Sequence, residues 1–188
     1  MIILLCGLSG AGKTTLANNV KSRLVKTGNK VELIDGDEYR QTLCKDLGFS
    51  KEDRCENLRR LGFVANRLSR FGIISIISAI CPYEEIRNEI KTKYNNVSIV
   101  HIDCSIERLI ERDTKGLYHL ALLPEDHPQK INNLTGINDA FEIPQNHELY
   151  INTGIEALEE SSNKLFYFIK TMLSEKTSVA AYKNYIRA

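Results

Sequence analysis

MIILLCGLSGAGKTT, from Met1 to Thr15, opens with an apolar run, Ile2 to Cys6, that reads as a buried strand. Gly7-Leu8-Ser9-Gly10-Ala11-Gly12-Lys13-Thr14 then fits G-x-x-x-x-G-K-[ST], a phosphate-binding loop, and Thr15 leads into a helical pattern with Leu16, Val20 and Leu24 on one side. The glycines allow backbone conformations that a side chain would block, so that successive N–H groups face one concave nest. The helix adds its positive N-terminal end to the same place. Lys13 supplies a point charge for β- and γ-phosphates, and Thr14 a hydroxyl for Mg²⁺. A glycine-rich turn with a chance lysine is the bland alternative. It would not require a strand before it and a helix after it.

At 188 residues the chain suits one domain, residues 1–188, with a full core. Hydrophobic residues make up 43% and charges are mixed, which excludes a disordered composition. A net charge of +1 gives no footing for bulk nucleic-acid or membrane binding. No apolar run reaches the length of a membrane span, and Met1 to Cys6 is too short for a secretory core. Cys6, Cys44, Cys55, Cys81 and Cys104 are scattered and odd in number, without a C-x-x-C pair. That pattern argues against a zinc site or a disulfide framework and fits a reducing cytoplasm.

Further along, Val31 to Ile34 reads as a short strand ending in Asp35-Gly36-Asp37. Ligands of open α/β sheets bind at the carboxyl ends of strands, so Asp37 is a candidate to orient or deprotonate an acceptor hydroxyl. A plain Asp-Gly turn is the alternative, and spacing leaves both open. Arg40 lies one turn on if a helix starts here. Ser50-x-x-Asp53 is a capping box for a helix to about Arg70, with Leu58, Leu61, Val64, Ala65 and Leu68 as its apolar stripe. The charges at its start, Arg54 among them, are either a solvated face or an anion site.

Ile73 to Ile80 suggests a central strand, Tyr83 to about Tyr94 a helix, and Val97 to Ile102 another strand. His101 in that strand reads as packed or at an edge. Ser105 can cap a helix over 106–112. The weakly periodic segment Asp113 to Thr135 reads as a long loop, a lid over about 114–135 that excludes water during transfer. His119 and His127, within it, read as solvated. Glu148 to Ile151 is expected as the last strand, Ile155 to about Leu173 as a closing helix, and the tail from Thr177 as room for a short further helix.

Strands alternating with helices imply an α/β, P-loop NTPase three-layer fold: a five-stranded parallel sheet with helices on both faces and a lid. No guanine-reading N-K-x-D motif is present, which turns the reading from GTPases toward a small-molecule kinase.

The chain also resembles the adenylyl-sulfate (APS) kinase family. The resemblance is carried by Gly7 to Thr15, Asp35-Gly36-Asp37 with Arg40, Leu47-Gly48-Phe49-Ser50, Asp53-Arg54 with Glu56-Asn57 and Arg59-Arg60, and Cys81-Pro82-Tyr83. Arg112-Asp113, Lys115-Gly116-Leu117-Tyr118, Thr135-Gly136-Ile137 and Phe141-Glu142-Ile143-Pro144 complete it. It implies an ATP- and Mg²⁺-dependent transfer to the 3′-hydroxyl of adenosine 5′-phosphosulfate, and a homodimer. It also implies roles: Lys13 and Thr14 for ATP and Mg²⁺, Asp37 on the acceptor hydroxyl, Arg112 near the adenine of ATP. Arg40, Arg54 and Asn57 would hold the 5′-phosphosulfate end and Phe49 would stack on the base. Ile80, Cys81 and Lys115 would line the substrate site, with Phe141 as a second aromatic.

The chain departs from the family's pattern in three ways. Cys81 stands where a serine, sometimes treated as a phosphoenzyme site, usually precedes Pro-Tyr; a thiol argues for direct in-line transfer. The lid from His119 to Asn133 is longer and more acidic, with Leu134 in place of Phe. The family's usual extension before the first strand has no counterpart in these residues. An altered lid over an intact core admits another 5′-modified acceptor, such as cytidine 5′-diphosphoramidate of capsule synthesis, and more remotely a nucleotide-binding regulator without catalysis.

Overall fold

The computed structural model of the chain describes residues 1–186. Five strands, β1 (Ile2–Cys6), β2 (Val31–Asp35), β3 (Ile74–Ser78), β4 (Val97–Asp103) and β5 (Leu149–Asn152), form one sheet in the order β2-β3-β1-β4-β5. Every neighbouring pair is parallel. Parallel neighbours need crossovers, and helices supply them. These are α1 (Lys13–Lys26), α2 (Gly36–Arg40), α3 (Lys51–Arg70), α4 (Glu84–Lys93), α5 (Ile106–Arg112), α6 (Leu117–Ala121) and α7 (Leu158–Ile186).

β1 is central and wholly buried, which its unbroken apolar run requires. Its side chains alternate. Ile3 and Leu5 join Leu16, Val20 and Leu24 of α1 and Leu165 and Ile169 of α7 in one core. Ile2, Leu4 and Cys6 join Leu58, Leu61 and Ala65 of α3 and Ile86 and Ile90 of α4 in the other. The result is the expected three-layer sandwich. Each fully buried aliphatic side chain contributes roughly 1.5–3 kcal/mol.

Several boundaries differ from the sequence expectation. β3 stops at Ser78 rather than Ile80, because Cys81 takes a left-handed φ of 53° and turns the chain out of the sheet. β2 runs one residue further, through Asp35. Tyr83 caps α4 rather than belonging to it, and Glu148 lies outside β5. On α3, Val64 and Leu68 sit at the margin of the core rather than within it. α7 starts at Leu158, since Ile155 belongs to a turn hydrogen-bonded to Asn152 and is exposed. It then continues to Ile186, so the tail prolongs α7 instead of forming a separate short helix.

Residues 114–135 are not a featureless loop. Tyr118 and Ala121 of α6 are buried in the α1 side of the core. The Tyr118 hydroxyl donates to Ser9 O at 2.8 Å, tying this segment to the phosphate loop. Lys130 Nζ closes the remaining turn by donating to Leu123 O at 2.9 Å and to Glu125 at 2.6 Å. Tyr-x-x-Ala is too short a pattern for periodicity to reveal a helix.

Candidate active site

The loop from Gly7 to Gly12 follows the central strand at the sheet's carboxyl edge. Gly7 is required by close approach: a Cβ there would lie 2.1 Å from Ile102 O. Gly12 caps α1 with φ 84°, which places Lys13 in the first helical turn. Lys13 folds back into the loop, donating to Gly7 O at 2.9 Å and Leu8 O at 2.7 Å. Burial, and then the neighbouring Lys115, lower its amine from 10.5 to about 8. The side chain is thus held where an arriving phosphate can replace the two carbonyls.

Thr14 Oγ1 donates to Asp35 Oδ2 at 2.7 Å and lies 2.9 Å from Ser78 Oγ. Asp35 is at the end of β2 and Ser78 at the end of β3, so two strand ends and the first turn of α1 bring three hard oxygen donors together. Asp35 Oδ1 also accepts from Asp37 N at 2.9 Å, capping α2 and fixing where Asp37 begins. Asp37 itself is exposed and forms an ion pair with Lys115.

Two concavities meet at Asp37. One is lined by Ser9, Gly10, Gly12, Lys13, Thr14, Thr15, Asp35, Ser78, Ile80 and Lys115, with Asp37 at its edge. The other is lined by Asp37, Arg40, Phe49, Arg54, Asn57, Ile80 and Cys81. Asp37 and Ile80 belong to both, so a phosphate in the first would face a hydroxyl in the second across one carboxylate.

The second pocket is electropositive and aromatic. The Arg40 and Arg54 guanidiniums lie 4.6 and 5.4 Å from the Phe49 ring centroid. Burial and then Arg54 lower the Arg40 guanidinium, the mark of two like charges held together. Arg54 is 6% exposed, so it is not part of a solvated face. It donates to Phe49 O at 2.9 Å and Asn133 O at 2.5 Å, and pairs with Asp139 at 3.1 Å. Asn57 Oδ1 is buried without a hydrogen-bond partner among the described residues, although it borders the pocket. Cys81 is buried, and burial pushes its thiol up.

One expected substrate residue stands apart from the acceptor pocket, and Arg112 lies beside the phosphate loop. Phe141 lines a separate cavity with Leu8, His101, Gly136 and Ile143, its ring 6.2 Å from that of His101, and does not share the pocket of Phe49. Arg112 donates to Thr153 O at 2.8 Å; the Thr153 hydroxyl in turn donates to Ala11 O at 3.0 Å. Arg112 therefore flanks the outer side of the phosphate loop, remote from the acceptor pocket. His101 is packed as expected, among Phe141, His147 and Tyr150, and burial lowers its imidazole. His119 is exposed, whereas His127 is half-buried and accepts from Gln129 N at 3.2 Å.

Sequence reasoning placed Asp35 at the strand edge without giving it a role, and missed Ser78, Asp139 and Thr153. Asp35 and Ser78 carried a usable signal: each is an oxygen-bearing residue at the carboxyl end of a mainly apolar strand. Asp139 and Thr153 carried none, because long loops bring them to their partners.

A parallel sheet with a phosphate loop after its central strand, and a carboxylate facing that loop from the next strand's end, defines a P-loop phosphotransferase of the small-molecule kinase class. The model of the adenylylsulphate kinase family matches residues 1–152. An adenylyl-sulfate kinase of Microcystis aeruginosa is 46% identical over 162 residues, covering 86% of this chain and 87% of its own. The Mycobacterium tuberculosis APS kinase solved in complex with AMPPNP and APS superposes with a TM-score of 0.83 at 32% identity, covering 90% of this chain and 96% of that one. A hexameric APS kinase from Thiobacillus denitrificans superposes at 0.66 with 27% identity, over 91% of this chain and 29% of its own. The chain belongs to the adenylylsulphate kinase family.

Proposed function

We propose that the protein transfers the γ-phosphoryl group of ATP to the 3′-hydroxyl of adenosine 5′-phosphosulfate, giving the 3′-phosphorylated product and ADP. The observation that carries this reading is Asp37 standing in the shared wall of the phosphate cleft and the Arg40–Phe49–Arg54 pocket. Family membership supplies the acceptor.

ATP phosphates sit in the nest of residues 7–15, with Arg112 toward the adenine. Lys13 leaves the Gly7 and Leu8 carbonyls and spreads its charge over the β- and γ-phosphates. The 3′-hydroxyl displaces Lys115 from Asp37, which orients it and takes its proton as the oxygen attacks phosphorus in line and ADP leaves. Arg40 and Arg54 hold the 5′ anion, Arg54 through the bidentate fork that suits phosphate and sulfate oxygens. Phe49 stacks on the base, Asn57 Oδ1 accepts a donor from the acceptor, and Ile80 and Cys81 form the floor. Phe49 is exposed at the rim of the pocket, where its ring is open to a base. Phe141 reaches the base only by movement of its loop.

The oxygen donors Thr14, Asp35 and Ser78 suit Mg²⁺. Bound there, Mg²⁺ neutralises charge on the phosphates. Burial raises the Cys81 thiol, which favours direct in-line transfer over a phosphoenzyme at this position. No described helix is long and apolar enough to cross a membrane. We assign the enzyme to the cytoplasm, where ATP is supplied, and expect a homodimer, detectable by light scattering as twice the chain mass.

Phosphorus NMR of the product tests the regiochemistry. A phosphomonoester coupled to the ribose H3′ is expected; coupling to H2′, or no new monoester, contradicts the assignment.

A further inference from the structure

Arg87, on α4, is 0% exposed and lies outside both concavities. Its guanidinium donates to Cys81 O at 2.6 Å, to Glu142 O at 2.7 Å and to Glu84 Oε2 at 2.8 Å. The first contact holds the one residue of the acceptor pocket that has a left-handed backbone without being glycine. The second holds the strap that runs from Asp139 to Pro144.

Two more contacts fasten the same strap. Glu142 N donates to Pro82 O at 2.8 Å, and the Glu142 carboxylate accepts from Glu84 N at 2.6 Å. Tyr83, the N-cap residue of α4, offers no side-chain cap, so Glu142 provides that cap from a distant part of the chain. At the strap's other end Asp139 accepts from the Tyr83 hydroxyl at 3.4 Å and pairs with Arg54 at 3.1 Å. Arg54 in turn holds Phe49 O and Asn133 O.

We infer that Arg87 is a positioning residue for the acceptor site. With Glu142 as its second anchor, it locks the Cys81 turn to the 139–144 strap, and the strap's Asp139 aims Arg54 into the pocket. The chain of contacts runs Arg87, Glu142 backbone, Asp139, Arg54, and ends at the groups that face the acceptor's anion. It never touches the phosphate loop. This inference rests on the acceptor reading above, and it makes a claim of its own: damage at Arg87 weakens the acceptor and spares ATP.

The test compares Arg87→Met, Arg87→Lys, Glu142→Ala and the double variant Arg87→Met/Glu142→Ala, each checked for a cooperative thermal transition. KM for adenosine 5′-phosphosulfate should rise about tenfold in Arg87→Met and about threefold in Glu142→Ala, with KM for ATP within twofold. Arg87→Lys, which keeps the charge and reaches one carbonyl but not both, should recover part of the loss. The double variant should fall short of the product of the two, because both residues secure one strap. Equal rises in both KM values, or a multiplicative double variant, would overturn the inference.

Exchange of backbone amides for deuterium is read on the same proteins without any acceptor. Arg87→Met should speed exchange in 139–144 and in 49–54 as well as in 81–84. Exchange confined to 81–88 would overturn the inference even if wild-type protein ignored adenosine 5′-phosphosulfate. That second result would refute the acceptor reading alone.

Discussion

At the scale of single residues, the site divides by charge state. Lys13 is held in its loop by two carbonyls and has an amine lowered to about 8. Phosphate binds the protonated form. ATP affinity should therefore be level below pH 8 and fall as pH rises through that value, by up to tenfold per unit. Calorimetric titration between pH 7 and 9.5 checks this; affinity independent of pH would contradict it. Asp37, paired with Lys115 and free of the phosphate cleft's backbone, can be neutralised without disturbing ATP. Asp37→Asn should lower kcat at least a hundredfold, the scale of a general base, and leave the ATP Kd within twofold. Loss of ATP binding in that variant would make Asp37 a nucleotide ligand instead. The sequence exposed Lys13, Thr14 and Asp37 because each sits in a local pattern whose geometry travels with it. It left Arg54 open, because its partners Asp139 and Asn133 are more than seventy residues away. Arg87 was legible only in part: it lies four residues after Tyr83 and three before Ile90, on the inward face of α4, yet its carbonyl partners come from a turn and a strap.

At the scale of elements, caps and strand ends place the site. Ser50 Oγ accepts from Asp53 N at 3.1 Å and starts α3, the helix that carries Arg54 and Asn57. Ser50→Ala should cost about 1 kcal/mol, a fall in Tm of roughly 2–4 °C by calorimetry. An unchanged Tm would mean that Asp53 N finds another acceptor. The helices α1, α3, α4 and α5 were readable from period and caps, and the strands from apolar runs. Their ends were not, because they depend on backbone events such as the left-handed turn at Cys81. The segment 114–135 misled because its anchor is tertiary: α6 exists by burying Tyr118 and Ala121 under the phosphate loop. The buried anchor of this segment therefore ends at Ala121, and Lys115, which pairs with Asp37, lies ahead of it.

At the scale of the whole molecule, the two-faced core explains why a thiol at Cys81 is compatible with function. All five cysteines are buried. Burial pushes Cys6 up to about 12 and Cys55 up to about 11. The native protein at pH 8 should react negligibly with an aromatic disulfide reagent over minutes, while the denatured chain releases five equivalents. Rapid labelling of one thiol in the native state would contradict this packing. The sheet order itself lay beyond periodicity, which finds strands without saying which are neighbours; the right-handed crossovers of a P-loop fold supply that information only once the fold is in hand.

The measurement that tests the central claim most directly is ADP release from Mg·ATP with adenosine 5′-phosphosulfate and cytidine 5′-diphosphoramidate as parallel acceptors. The account predicts turnover with the adenosine compound, abolished by Asp37→Asn, and little with the cytidine compound. Turnover with the cytidine compound alone would contradict it and show that the Phe49 pocket and the longer lid select a different base.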